Sequence, residues 1–327
     1  MRIELSDLEL LVTEVFLNHG LALREAEIVS RSIIDAEAKG VHHHGLVMVD
    51  FYLRQIGDKK GEPLVEVDIG SFCLVDGGDV LGPVAADYAV ELSIQRAKKN
   101  GVGFVGVHNK SPFLMAETHS HKIATTGCVG VVMCNSRARV APPGSYEPVF
   151  GPNPISFGFP RDEYPLLVDF ATSSITMGQI RSCLAANETL PEGVAVNEKG
   201  LPTVDPKLAL DGAVVPFGGH KGYGLALAIE LLAGPLVGAK AGKSVPGTRG
   251  FLIGAFSLHN QTALEKFKNN VMALVREIKN ARRNPGVNEI LVPGEDRLQK
   301  LKLASVEGLQ ISDESYQKLL NLAGKAP

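Results

Sequence analysis

The sequence predicts an α/β protein, and three observations support this class. Segments with helical spacing of apolar residues alternate with short apolar runs typical of buried strands. Apolar residues make up 45% of the chain and charged residues 21%, the balance of an ordinary globular protein. The length of 327 residues suits one large domain or two to three interleaved ones.

Two helices are predicted first. One runs from Ser6 to about Leu17, with Ser6 as N-cap, Glu9 completing a capping box and Gly20 as the stop. The second, "LREAEIVSRSIIDAEAKG", has isoleucines at helical spacing and ends at Gly40. A further helical stretch, "GLVMVDFYLRQIG", follows the three histidines that come after Gly40.

The middle of the chain alternates between the two kinds of element. Strands are predicted at "FCLVDGG", "GVGFVGVHN" and "VGVVMCNS", and the helix "GPVAADYAVELSIQRAKKNG" ends at Gly101. "GPNPISFGFP" and "YPLLVDFATSS" are predicted as loop–strand pairs. The near-continuous apolar run "YGLALAIELLAGPLVG" predicts a helix buried on all sides.

Three elements are predicted in the last part of the chain. They are the strand "TRGFLIGAFSL", the amphipathic helix "LEKFKNNVMALVREIKNA" and a C-terminal helix capped by Ser312. Because helices and strands keep alternating to this point, the α/β class applies to the whole chain.

Charge and cysteine content narrow the class of protein. The net charge of −3 is spread over interspersed signs, so no nucleic-acid partner is indicated. Apolar runs are interrupted before they could span a bilayer, and the N-terminus does not have the pattern of a signal peptide. No CxxC pair occurs among Cys73, Cys128, Cys134 and Cys183, which favours a reducing cytoplasm.

Two glycine-rich stretches resemble nucleotide motifs. "GVGFVG" spells G-x-G-x-x-G, but a predicted helix precedes it and a strand follows, the reverse of the dinucleotide-binding order. "FGGHKGYG" lacks the order of a phosphate loop. It opens a helix, however, so an anion site and a simple turn with a solvated lysine both remain open.

Three consecutive histidines, His42, His43 and His44, lie just past a helix end. Adjacent side chains of extended chain point in opposite directions, and no second ligand cluster is present, so no metal site is predicted. Histidine titrates near neutral pH and suits proton transfer. The pattern alone nevertheless favours a polar turn.

Motifs along nearly the whole chain add to this interpretation. They are "KGVHHHG", "VDGGDVLGP", "GPNPISFGFP", "VDFATSS", "LPEGVAVNEKGLPTVDP", "VPFGGHKGYGLALAIELLAG" and "LVPGE". With these motifs the chain resembles the malate/L-lactate/sulfolactate dehydrogenase family of non-Rossmann NAD(P)-dependent oxidoreductases. That family includes ureidoglycolate dehydrogenase, diketogulonate reductase and the piperideine- and pyrroline-2-carboxylate ketimine reductases.

The resemblance implies a three-layer α/β sheet with a helical N-terminal part, and a homodimer with active sites at the subunit interface. It divides the chain into a region carrying the catalytic histidine (1–75), a central cofactor-binding domain (76–250) and a C-terminal part that packs back on the sheet (251–327). It makes His44 the proton donor during hydride transfer. The residues expected to contact NADH or NADPH are Phe170, Ala171, Thr172, Ser173, Ser174, Ile175, Thr176, His220, Lys221, Gly222, Pro293, Gly294 and Glu295.

Two further residues are candidates to orient His44 or the substrate. Asp169 is one, and its alternative role is to cap the turn that follows its strand. Tyr52 is the other, and its alternative role, which we favour, is that of a core aromatic residue.

The substrate side departs from the family pattern. His43 stands where a serine is usual, and Met48 stands where an arginine usually clamps the substrate carboxylate. Pro112 and Leu114 replace a histidine and a glycine on either side of Phe113. Gly178 and Gln179 stand where Gly-Lys is usual.

Two outcomes follow from these departures. In the first, the substrate keeps its carboxylate and Arg137 or Arg139 replaces the lost arginine, although these two could equally be a solvated loop pair. In the second, the substrate lacks that carboxylate or is bulkier and more apolar, and its contacts are Met48, Pro112, Phe113 and Leu114.

The expected function is an NAD(P)H-dependent reductase acting on a C=O or cyclic C=N carbon. The preferred substrate is a 2-oxo acid or a ketimine, and a substrate specialised to a biosynthetic pathway fits equally well. The alternatives are a degenerate family member that binds a nucleotide or metabolite without turnover, and a metal-binding regulator built on the histidines.

Overall fold

A computed structural model describes residues 1–57, 61–109, 111–245 and 249–325. The helices are α1 (Leu5–Asn18), α2 (Leu23–Ala38), α3 (Val49–Leu53), α4 (Gly82–Asn100), α5 (Ala116–Thr125), α6 (Met177–Ala186), α7 (Pro206–Asp211), α8 (His220–Ala233), α9 (Gln261–Lys279), α10 (Glu295–Glu307) and α11 (Asp313–Leu322). The strands are β1 (Arg2–Ile3), β2 (Leu64–Asp68), β3 (Phe72–Asp76), β4 (Val102–Asn109), β5 (Cys128–Cys134), β6 (Ile155–Phe159), β7 (Leu166–Phe170), β8 (Ala195–Val196), β9 (Ala213–Val214), β10 (Arg249–Ser257) and β11 (Leu309–Gln310).

A seven-stranded mixed sheet has the order β2-β3-β4-β10-β5-β6-β7. β3 and β4 are parallel, and every other neighbouring pair in this sheet is antiparallel. β3, β4, β5 and β7 therefore run in one direction and end at one edge, where β10 begins. Ligands of open α/β sheets bind outside the carboxyl ends of such strands.

Helices cover both faces of this sheet. Val132 and Phe251 point to the face covered by α4 and α5, and their sequence neighbours Val131 and Leu252 point to the face covered by α8. This alternation is the period of a strand buried on both sides. The three-layer α/β class predicted from the sequence is confirmed.

The two ends of the described chain lie together. β1 pairs with β11, and α1 and α2 share a hydrophobic cluster with α10 and α11. Fully buried Leu8 and Phe16 belong to this cluster with Leu319 and Ala323, which are nearly buried. The histidine turn after α2 is thus fixed against segments from both ends of the chain.

Most predicted elements are present, but the first helix start is wrong. α1 begins at Leu5 after Glu4, not at a Ser6 cap, because the β1–β11 pairing keeps the chain extended as far as Ile3. Gly40 and Gly101 end their helices at φ 73° and 85°, and Ser312 caps α11. The strand β10 begins at Arg249, since Thr248 of the predicted strand lies outside the described residues.

Two helix predictions need correction. The stretch after the histidines is a 3₁₀ turn, Leu46–Met48, followed by the short α3. The helix predicted to be buried on all sides, α8, is buried on one side only within the single chain, since Leu227 and Leu231 are 40% and 52% exposed. Sequence reasoning also missed the helices α6, α7 and α10 and the strands β1, β2, β8, β9 and β11.

Candidate active site

The three histidines form one turn of 3₁₀ helix, His42–His44. Our assumption of extended chain was wrong, and the rings of His43 and His44 lie 4.4 Å apart. Within the described ranges, no group of three or more His, Cys, Asp or Glu residues is arranged to hold a metal ion.

Glu37 on α2 holds this turn in place. Its Oε1 lies 2.5 Å from Nδ1 of His42, and its Oε2 accepts a 2.8 Å hydrogen bond from the backbone N–H of Leu46. A Cβ on Gly45 would lie 1.9 Å from Oε2 of Glu37, so only glycine fits there. His42 is therefore occupied by the turn itself, while His43 and His44 are left for other roles.

His44 is the most perturbed histidine of the turn. Burial, then the positive charges of His43, Arg249 and Arg297, lower its pKa to about 3. Its Nδ1 is buried and has no hydrogen-bond partner among the described residues. In the free protein the imidazole is therefore neutral at pH 7, and a buried polar atom without a partner is typical of functional sites.

His43 packs against the start of α6. A Cβ on Gly178 would lie 2.4 Å from Cγ of His43, so this glycine makes room for the ring. Thr176 caps the same helix, accepting a 3.2 Å hydrogen bond from the Gln179 N–H, and Oε1 of Gln179 accepts from the Thr176 N–H at 3.0 Å. Gln179, which departs from the family pattern, thus completes a capping box.

Two of the predicted cofactor segments lie side by side. The segment Phe170–Thr176 bonds to the start of α8, since the N–H of Phe217 donates to Thr172 O at 3.1 Å and the N–H of Ser174 donates to Val215 O at 2.8 Å. A Cβ on Gly222 would lie 2.3 Å from Phe217 O and 2.9 Å from Thr172 O. The glycine is therefore required for this close approach of the two segments.

The start of α8 offers an exposed cation. His220 and Lys221 are exposed, and Lys221 has no acidic partner among the described residues. The N–H groups of Lys221 and Gly222 are bonded to Gly218 O and Phe217 O, whereas the lysine ammonium has no acceptor among the described residues.

The third predicted segment, Pro293–Glu295, lies beside β7. Gly294 has φ 84°, and a Cβ there would lie 2.9 Å from Leu167 O. Glu295 accepts a 3.0 Å hydrogen bond from the Val292 N–H and begins α10. The first two segments thus meet at the carboxyl end of β7, and the third lies alongside the same strand at Leu167.

A buried charge network joins this region to the histidine turn. Nη1 of Arg297 on α10 lies 2.7 Å from Oδ2 of Asp169 and 2.5 Å from Oε2 of Glu117. Oε1 of Glu117 lies 3.2 Å from Nζ of Lys39, which also pairs with Asp35 at 2.9 Å. Glu117 and Lys39 are each 1% exposed, so these charges are taken out of water.

Asp169 belongs to this network. Burial raises its pKa, against the opposing charge of Arg297, and its Oδ1 is buried without a hydrogen-bond partner. Its partner in the described structure is Arg297 rather than His44.

The rebuilt wall is the set of predicted substrate contacts that depart from the family pattern, Met48, Pro112, Phe113 and Leu114. Tyr52 is fully buried, and its hydroxyl donates a 2.6 Å hydrogen bond to Pro112 O. Leu114 adopts φ 71°, a left-handed conformation that costs a leucine about 1–2 kcal/mol. Met48 packs against the N-terminal cluster, and Phe113 contacts the ring of Phe251 at 5.0 Å.

The arginines predicted to bind a carboxylate, Arg137 and Arg139, lie in the segment between β5 and β6. Arg137 is exposed, and the guanidinium of Arg139 donates to Leu210 O at 3.4 Å. Burial, then the charges of Arg137 and Arg181, lower the pKa of Arg139. Arg249, which sequence reasoning missed, is the arginine whose charge acts on His44 together with that of Arg297.

Comparison with known proteins agrees with this arrangement. The malate/L-lactate dehydrogenase family model matches residues 3–320. Malate/(S)-sulfolactate dehydrogenase of Methanothermus fervidus is 36% identical, with 93% of this chain and 92% of that protein covered. Ureidoglycolate dehydrogenase (NAD(+)) of Escherichia coli is 30% identical, with 98% and 95% covered.

A cyclic-imine reductase and a solved structure extend the comparison. The Δ¹-pyrroline-2-carboxylate/Δ¹-piperideine-2-carboxylate reductase of Pseudomonas putida is 30% identical, with 99% of this chain and 97% of that protein covered. The structure of sulfolactate dehydrogenase from Methanocaldococcus jannaschii superposes with a TM-score of 0.91 at 33% identity, covering 100% of this chain and 98% of that one.

Proposed function

The chain belongs to the malate/L-lactate dehydrogenase family of nicotinamide-dependent oxidoreductases, and we propose that it transfers hydride from NADH or NADPH to a C=O or cyclic C=N carbon with His44 as proton donor. The observation that carries the proposal is that the segment Phe170–Thr176 meets the start of α8 at the carboxyl end of β7, with the histidine turn packed on Gly178 beside it. A 2-oxo acid or a cyclic ketimine remains the preferred substrate.

The cofactor residues fit their proposed role. Gly222 and Gly294 provide close backbone approaches that a Cβ would fill, and Lys221 offers a cation for a phosphate at the start of α8. A bound nicotinamide would supply the hydride. Phe170–Thr176 and Pro293–Glu295 would hold its two sides, with Asp169 and Arg297 fixing the second segment against β7.

His44 would donate its proton to the heteroatom of the reacting double bond. Negative charge develops on that atom as hydride reaches the carbon, and general acid catalysis of this kind contributes about 10²–10⁴-fold. The free imidazole is neutral because of burial and nearby positive charge. An anionic substrate would offset these charges and so favour the imidazolium.

The test is reduction of a substrate panel with NADH and NADPH, followed by absorbance. The panel holds pyruvate, oxaloacetate, larger 2-oxo acids, cyclic ketimine carboxylates and matched carbonyls and imines without the carboxylate. We expect His44→Gln to lower kcat by about 10²–10⁴-fold, and His42→Gln, which alters a residue bound to Glu37, to leave kcat within a few-fold.

Full activity in His44→Gln would exclude this mechanism. Cofactor binding without turnover of any panel compound would instead favour the degenerate member that binds without reaction.

We also propose that the protein is a homodimer with the active site at the subunit interface. The apolar face of α8, which exposes Leu227 and Leu231, supports this assembly, since such a face is normally covered. Light scattering of the protein as it elutes from a size-exclusion column should give twice the chain mass of 34.8 kDa. A monomer at micromolar concentration would contradict it.

A cytoplasmic location remains a proposal. Its support is that Cys73, Cys128, Cys134 and Cys183 are free thiols in the structure. No helix within the described ranges is long and apolar enough to cross a bilayer.

A further inference from the structure

We propose that Arg249 binds the anionic group of the substrate and does the work of the arginine replaced by Met48. The inference rests on the proposed function and assigns the substrate to organic acids whose carboxylate adjoins the reacting C=O or C=N carbon. It also replaces Arg137 and Arg139 as the residues responsible for that contact.

The sheet places Arg249 at the right edge. It is the first residue of β10 and pairs with Asn109, the last residue of β4. β10 lies between β4 and β5, so Arg249 stands at the carboxyl edge where the histidine turn and the rebuilt wall meet.

Strand alternation determines the face on which Arg249 lies. Phe251, two residues further along β10, is fully buried and contacts Phe113 of the rebuilt wall. Side chains two residues apart on a strand share a face. Arg249 therefore lies on the face of Phe113, one step nearer the edge, where Tyr52 binds the carbonyl of Pro112.

The positive charge of Arg249 contributes to the pKa shifts of the groups expected around such a site. It acts on His44, on the hydroxyl of Tyr52 and on the thiol of Cys134, all buried or nearly so. Cys134 on β5 pairs with Phe251, two residues beyond Arg249 on β10, so these charge effects agree with the place that the sheet gives Arg249.

Arg249 is also available for a ligand. No hydrogen bond or ion pair to its side chain occurs within residues 1–57, 61–109, 111–245 and 249–325. The other arginine acting on His44, Arg297, is already bound by Glu117 and Asp169. A half-buried guanidinium without a carboxylate partner suits an anion, which it can hold through two parallel hydrogen bonds.

The position also accounts for the mechanism of protonation. An anion on Arg249 would offset one of the positive charges that keep His44 neutral. Binding of the acid would thereby favour the imidazolium that donates the proton. A neutral analogue would bind without this effect.

The test compares Arg249→Gln with Arg249→Lys and with the control Arg139→Gln. Calorimetry measures binding of oxamate, oxalate and pyrrole-2-carboxylate to the wild-type protein saturated with NADH or NADPH. We expect Arg249→Gln to weaken binding of the tightest probe about 10- to 100-fold, Arg249→Lys to weaken it less, and Arg139→Gln to leave it within a few-fold. Unchanged cofactor affinity shows that the variants are folded.

A second pair of measurements isolates the contribution of the negative charge of the substrate. The kcat/KM of the best acid in the panel should fall in Arg249→Gln, while that of its primary amide stays within a few-fold. Met48→Arg added to Arg249→Gln should recover acid binding. Equal losses for acid and amide, or a larger loss in Arg139→Gln, would overturn the inference.

The two proposals can fail separately. If the protein reduces acids and Arg249→Gln does not change their kcat/KM, the proposed reductase function is retained and the role of Arg249 is excluded. If the wild-type protein neither reduces nor binds any of the acid probes, both the proposed function and the role of Arg249 are excluded.

Discussion

The two sides of the candidate site are built by different means. The proposed cofactor side, at the end of β7, is held by backbone hydrogen bonds and by glycines such as Gly222 that admit no Cβ. The proposed substrate side would be lined by side chains, among them Met48, Leu114 and Arg249, and Leu114 has a left-handed conformation. Backbone contacts tolerate few sequences, whereas side-chain walls can be replaced.

The network around Glu117 joins the two sides, and breaking it should have the largest effect. Glu117→Gln leaves buried Lys39 and Arg297 without their shared carboxylate. Removing one partner of a buried pair costs about 3–5 kcal/mol. Urea unfolding should show this loss, whereas Glu307→Gln, which breaks an exposed pair with Arg2, should cost less than about 1 kcal/mol.

Equal losses in Glu117→Gln and Glu307→Gln would show that the buried network does not hold the two sides together. A loss of stability with cofactor affinity and kcat both intact would also contradict that role.

The cofactor side alone should fail in Gly222→Ala. The added Cβ would lie 2.3 Å from Phe217 O, and such overpacking costs about 1–3 kcal/mol. Fluorescence titration should show weaker NADH or NADPH binding. Gly224→Ala, in the same helix with nothing within 4 Å of the new Cβ, should bind normally and gain about 0.5–1 kcal/mol of stability.

On the substrate side, His44 should make the free energy of unfolding depend on pH. The pKa of His44 is about 3 in the folded protein and near its ordinary value of 6.5 when unfolded. The unfolded chain therefore binds the extra proton, so this contribution is complete above pH 6.5 and is lost as the pH falls toward 3. Between pH 7 and pH 5 the loss amounts to about 2 kcal/mol.

Chemical unfolding at both pH values measures this change. In His44→Gln, which cannot titrate there, the fall in stability between the two values should be smaller by that amount. An identical fall in the two proteins would mean that His44 is not buried as a neutral group.

The sequence predicts local elements well and long-range pairing poorly. α2, α4, β4 and β5 follow from periodicity and from glycines that end helices. The insertion of β10 between β4 and β5 could not be predicted, because it depends on contacts more than a hundred residues apart.

The candidate site was predictable where a motif spans several residues. His44, the segment Phe170–Thr176 and the start of α8 were predicted in this way, through resemblance to a family. Arg249 and Glu117 are single charged residues without a motif. Glu117 lies in the polar run "AETHSH", which indicates surface, yet its side chain is 1% exposed.

The central position of β10 has a consequence for synthesis on the ribosome. β4 and β5 leave the exit tunnel long before residues 249–257, so their facing edges stay unpaired while more than a hundred further residues are translated. Unpaired edges of apolar strands are sites of aggregation. A nascent chain that stalls before β10 is therefore the form of this protein most in need of a chaperone.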